Sequence, residues 1–151
     1  MDVDTTDRRI LNILQKNARI SNADLAEQIN LSPSACLRRV RLLEERGIID
    51  GYATLVNQQA IGRPTSVFVE VSLDDQSEES LKAFEVAVSL LPDVMECHLM
   101  SGDADYLLRV VAADTADFER VHKILGKLPK LARTRSSFVL RTISKRTAFE
   151  L

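Results

Sequence analysis

The chain has 151 residues, 45% of them apolar and 28% charged, a globular composition with room for one ordinary domain or two small ones. A net charge of −2 and a pI near 5.7 argue against a protein that coats nucleic acid by bulk positive charge, and no apolar run is long enough for a membrane helix. The acidic start Met1-Asp2-Val3-Asp4 does not read as a secretory signal, and Cys36 and Cys97 are too few for a disulfide scaffold, so the expectation is a cytoplasmic protein.

Charge is unevenly spread. Residues 1–62 balance 8 basic against 8 acidic side chains, residues 63–105 hold 2 against 10, and residues 106–151 hold 10 against 4.

The first third reads as three short helices. Asp4 with Asp7 is an N-cap and its first-turn acid, opening a helix with Ile10, Leu11 and Leu14 on one face. Ser21 with Asp24 repeats the signature ahead of Leu25, Ala26 and Ile29. Ser32-Pro33 sets a cap and a proline at the start of the third helix, which Gly47 ends. Such short connections force steep packing, the helix-turn-helix pattern.

On the third helix Cys36, Leu37, Val40 and Leu43 fall on the apolar side, while Ser34, Arg38, Arg41 and Glu45 lie opposite, flanked by Ala35 and Arg39. A recognition helix docks its first half in the major groove of double-stranded DNA, where Arg and Ser meet bases and phosphates. The expected contacts are Arg38 and Arg39, supported by Ser32, Ser34 and Arg41, with Ala35 against a thymine methyl. The alternative is a solvated helix face carrying a few arginines.

Ile48 to Val56 places two β-prone runs around Asp50-Gly51, which predicts a hairpin and hence a winged helix-turn-helix. In that wing Tyr52 either contacts the DNA backbone or packs on the third helix. Residues 57–64, with Gly62 and Pro64, read as a linker, so the expected organisation is 1–56 for DNA binding, 57–64 as linker and 65–151 as a second domain.

The second part repeats itself. A strand at Thr65–Leu73, a helix at 78–91, strands at 94–101 and Tyr106–Ala112, a helix opened by Asp114 and Asp117, and a last strand near 136–143 follow in order. A shift of 37 residues lays Leu81, Phe84, Val88 and Leu91 on Phe118, Val121, Leu125 and Leu128. Two such halves joined by a hairpin make βαββαβ, a ferredoxin-like arrangement, and the fold class is α+β. Both helices then cover one face of the sheet. The other exposes Phe68, Met100 and Val111 among Glu70, Glu96, Arg109 and Arg141, an expected homodimer surface.

Three stretches together resemble the Lrp/AsnC (leucine-responsive, feast/famine) family of regulators. They are Asp4-x-x-Asp7-x-x-Ile10-Leu11 with Asn17-Ala18-Arg19-Ile20-Ser21, then Leu31 to Val40 with Leu43-Glu44-x-x-Gly47-Ile48-Ile49, and then Glu96 to Leu108. The resemblance implies a nucleoid-associated transcription regulator whose second domain, often called RAM, binds an amino-acid effector and assembles dimers into tetramers or octamers. It implies an effector site at Gly102 and Asp105 with Ser101, Asp103, Tyr106 and Leu108, completed by Thr134, Ser136 and Ser137 of a neighbouring subunit. On the residues alone, Gly102-Asp103-Ala104-Asp105 reads first as a polar hairpin turn with Asx bonding, and only the resemblance favours the effector site.

No cofactor, metal site or catalytic constellation is expected. Cys97 and His98 fall on opposite faces of a strand, Cys36 and His122 read as structural, and neither a phosphate loop nor a nucleophile elbow occurs. A regulator is therefore favoured over an enzyme. The alternatives are a DNA-wrapping architectural protein and a small ferredoxin-like metabolite sensor or enzyme.

Overall fold

The computed structural model describes residues 3–151, so Met1 and Asp2 of the acidic start lie outside the described residues. The chain forms two compact units, one of residues 1–55 with 143–151 and one of residues 56–142.

In the first unit, α1 (Thr5–Leu14), α2 (Asn22–Ile29) and α3 (Pro33–Glu45) start where their caps dictate. The side chains of Asp4, Ser21 and Ser32 accept from the backbone N–H of Asp7, Asp24 and Ala35. Asn30 adopts the left-handed conformation that ends α2, and Leu31 N–H reaches back to Ala26, leaving a tight turn before Ser32. The three helices meet over Ile10, Leu25, Ala26, Ile29, Cys36 and Leu43, all nearly inaccessible to water. Gly47 has φ +65°, a value that strains a side-chain-bearing residue, and lets Ile48 and Ile49 fold back to bond the Leu43 carbonyl.

That fold-back overturns the expected hairpin. Ile48 and Ile49 pack against the helical core instead of forming a strand, and residues 50–56 have no regular secondary structure and no strand pairing among the described residues. The β-prone composition around Asp50-Gly51 is spent on burial and on an open segment.

In the second unit, β1 (Thr65–Leu73), α4 (Glu78–Ser89), β2 (Val94–Leu99), β3 (Tyr106–Ala112), α5 (Thr115–Leu125) and β4 (Leu131–Phe138) form the βαββαβ order. The antiparallel sheet runs β2-β3-β1-β4. Val67, Val69 and Val71 alternate with Phe68 and Glu70, and their face meets Phe84 and Val88 of α4 and Phe118, Val121 and Leu125 of α5. Full burial of such a side chain contributes about 1.5–3 kcal/mol. Asp93 pairs with both Arg63 and Arg120, fastening the entry to β1 against the strand and helix that follow.

Three boundaries differ from expectation. The last strand lies about five residues earlier than 136–143, because Leu131 packs on the core and residues 131–138 pair with β1. Residues 143–151 group with the first unit rather than with the second. Val111 stays on the expected open face, opposite Ser66, but is only 8% exposed, whereas Arg141 falls beyond β4 and leaves that face.

Candidate DNA-binding face and ligand cleft

The outward side of α3 presents Ser34, Arg38, Arg41 and Glu45, with Leu37 and Leu42 about 40% exposed beside them. Arg38 and Arg41 are exposed, and the structure gives them no carboxylate partner among the described residues, so both guanidinium groups are available to phosphates or base edges. Ser32 is occupied as the N-cap and also lies 3.2 Å from the Ser34 hydroxyl, while Ala35 is half-buried. Asn22 donates to the Pro33 carbonyl at 2.8 Å, fixing the start of α3 against α2.

Arg39 behaves differently. Its Nη1 lies 2.8 Å from Asp4 Oδ2 and 2.7 Å from Asp7 Oδ1, tying α3 to α1. The Asp7 N–H and then Arg39 hold the Asp4 carboxyl below its usual range, and the two carboxylates push the Arg39 pKa up. Tyr52 resolves toward α3, its hydroxyl donating to Glu44 at 2.8 Å.

In the second unit, the face of the sheet away from the helices carries Phe68, Glu70, Glu96, His98, Met100, Leu107, Arg109, Arg133, Arg135 and Ser137 by strand parity. Arg109 bonds Glu96 at 2.6 Å and Arg135 bonds Glu70, so opposite charges pair between adjacent strands. These partners hold Glu70 and Glu96 below their usual carboxylate range.

A cleft of about 570 Å³ opens beside this face, lined by Glu70, Ser72, Asp103, Ala104, Arg133, Thr134 and Arg135. A smaller hollow of about 140 Å³ shares Glu70, Asp103 and Ala104 with it and adds Met100, Ser101, Gly102, Tyr106 and Leu107. Gly102 is needed there for its backbone, with φ +148°, since a Cβ would meet nothing within 4 Å. Acid on one side, two arginines on the other and apolar groups alongside complement a zwitterion with an apolar side chain.

The expected effector residues divide. Ser101, Gly102 and Asp103 line the open hollows. Asp105 is buried, and its carboxylate accepts from Leu73 N–H and Gln76 Nε2, both at 2.7 Å, so it closes a loop rather than facing a ligand. Leu108 is a core residue, and Tyr106 points its hydroxyl to Glu85 at 2.7 Å. Thr134 and Ser136 pair with Val71 and Val69 on the helix-covered side, Thr134 lying 3.4 Å from His122 though it also edges the cleft, whereas Ser137 faces the open side. The sequence reading missed Ser72 and Arg133, gave Glu70 no ligand role, and took in Arg135 only as part of the stretch from Thr134 to Ser137. Alternation alone sets Glu70 on the open face, but the position of β4 was needed to bring Arg133 and Arg135 beside it.

A helix-turn-helix unit followed by a βαββαβ unit with such a cleft defines a DNA-binding transcriptional regulator with a ligand-binding domain. Residues 3–50 match the winged helix-turn-helix DNA-binding family and residues 66–149 the Lrp/AsnC ligand binding domain. The chain belongs to the Lrp/AsnC family of transcriptional regulators, which are not enzymes. It is 40% identical over 145 residues to the leucine-responsive regulatory protein of Escherichia coli (strain K12), covering 95% of this chain and 88% of that one. The Haemophilus influenzae protein of the same name is 40% identical over 151 residues, covering 97% and 89%.

Among solved structures, a Neisseria meningitidis transcriptional regulator in complex with L-Met superposes with a TM-score of 0.92 at 34% identity, covering 99% of this chain and 97% of that one. The feast or famine regulatory protein of M. tuberculosis complexed with L-methionine gives 0.86 at 29%, covering 98% and 99%. No described helix is long and apolar enough to cross a membrane.

Proposed function

We propose that this regulator responds to a free amino acid with an apolar side chain, held in the cleft between Glu70, Asp103 and Arg133. The carboxylates take the α-ammonium, Arg133 takes the α-carboxylate, and Met100 and Leu107 border the side chain. The observation that carries the reading is the facing of acid and arginine around one open cleft in the ligand-binding unit. Two relatives solved with methionine support the ligand class.

DNA is bound through α3, with Arg38 and Arg41 as phosphate or base contacts and Ser34 beside them. Ser32 acts from its capping position, and Arg39 holds the helix at its angle rather than touching DNA. Two copies associate through the uncovered sheet face around Phe68, where the paired Glu96 and Arg109 tolerate burial, and dimers build tetramers or octamers. A thermal-shift screen of the standard amino acids, followed by light scattering of any hit, tests the reading. An aliphatic or thioether amino acid is expected to raise the melting temperature, and silence across all of them removes the effector assignment.

A further inference from the structure

Within the first unit, α1 and the segment at 48–55 frame an apolar groove of about 710 Å³, walled by Leu11, Leu14, Ile49, Tyr52 and Leu55. Residues 147–151 complete its rim. Backbone bonds, not side-chain burial, hold them there. Gln15 Nε2 donates to the Phe149 carbonyl at 3.2 Å, and Gln15 Oε1 accepts the Phe149 N–H at 2.6 Å. Asn12 Nδ2 donates to the Leu151 carbonyl at 3.0 Å. Phe149 itself is 78% exposed.

One carboxamide that satisfies both backbone groups of a single residue imitates the pairing of a neighbouring strand, the way extended peptides are captured. Asn12 lies three residues before Gln15, so the two amides stand on one face of the helix, spaced to grip alternate carbonyls of an extended segment.

We propose that this face of α1 is a peptide-docking site, that its occupant is the chain's own segment 147–151, and that Asn12 and Gln15 are the residues that select it. The chain leaves the first unit after Leu55 and rejoins it at Ile143, so docking gives the DNA-binding unit a second attachment to the strand β4 that borders the ligand cleft.

Hydrogen exchange on the full chain tests this, read at the Phe149 amide by NMR. In the wild type that amide is expected to exchange at least about tenfold more slowly than an unstructured peptide of the same sequence, as one or two intact hydrogen bonds require. Asn12→Ala with Gln15→Ala is expected to abolish that protection while β1 and β3 keep theirs. Phe149→Pro, which removes the donated N–H and leaves α1 untouched, is expected to move the side-chain amide resonances of Gln15 and Asn12 to free-carboxamide positions as residues 149–151 are released. A wild-type Phe149 amide exchanging at the free-peptide rate, Phe149 protection unchanged in Asn12→Ala with Gln15→Ala, or side-chain amide resonances of Asn12 and Gln15 unmoved in Phe149→Pro would overturn the proposal.

Discussion

Arg39 and Asp7 stand 32 residues apart in the chain and 2.7 Å apart in space, joining the helix that meets DNA to the first helix of the unit. Asp7 is 7% exposed, so little water can replace this partner. The same guanidinium reaches the Asp4 cap, so one side chain fixes the start of α1 and the position of α3.

Replacing Arg39 by Ala leaves a buried carboxylate without its cation, and the expected cost is about 2 kcal/mol of stability. Urea unfolding followed by circular dichroism measures it. Arg38→Ala, at an exposed position, is expected to leave the midpoint unchanged. Equal midpoints for Arg39→Ala and wild type would return Arg39 to the DNA-contacting face.

Two neighbouring aspartates are expected to part company. Asp103→Asn and Arg133→Ala remove charges from the open cleft and should abolish the thermal shift produced by the bound amino acid, with little change in the unliganded melting temperature. Asp105→Ala strands the Leu73 N–H and the Gln76 amide, costing about 1–3 kcal/mol of stability. Should Asp105→Ala melt like wild type yet lose the ligand response, the roles assigned to the two carboxylates are reversed.

The pairing of Asp75 with the start of α4 sets an acid limit. The Ser77 side chain, the Ser77 backbone N–H and Ser80 lower the Asp75 pKa from 3.8 to about 2. A carboxylate with a depressed folded-state pKa binds fewer protons folded than unfolded, so its stabilisation is complete above pH 3.8 and is lost as pH falls toward 2. Asp75→Asn is expected to flatten the stability profile across that window and to leave it unchanged near neutrality relative to its own plateau. Parallel profiles for the two proteins between pH 4 and 2 would count against the assignment.

Much of this architecture is legible in the sequence because its signals are local. The caps Asp4, Ser21 and Ser32 and the alternation at Thr65–Leu73 each state a geometry within a few residues, and the structure keeps them. What escaped depends on distant partners. Residues 131–138 read as polar because Arg133 and Arg135 face away from the core, and only pairing with β1 makes them a strand. Ile48 and Ile49 look β-prone, yet the helical core captures them. Helical spacing places Arg38 and Arg39 side by side, and it took Asp4 and Asp7 from another helix to separate a free cation from a bound one. The same holds for Asp105, whose partners sit about 30 residues away.

DNA binding rests on Arg38 and Arg41, which have no carboxylate partner among the described residues, meeting a polyanion. Fluorescence anisotropy with a duplex selected from a random library, repeated over a range of salt concentrations, measures this directly. For wild type the logarithm of affinity should fall steeply and linearly with the logarithm of salt. For Arg38→Ala with Arg41→Ala, binding should weaken and the slope should become shallower by about two for each bound recognition helix. An unchanged affinity and an unchanged slope in the double variant would contradict α3 as the surface that binds DNA.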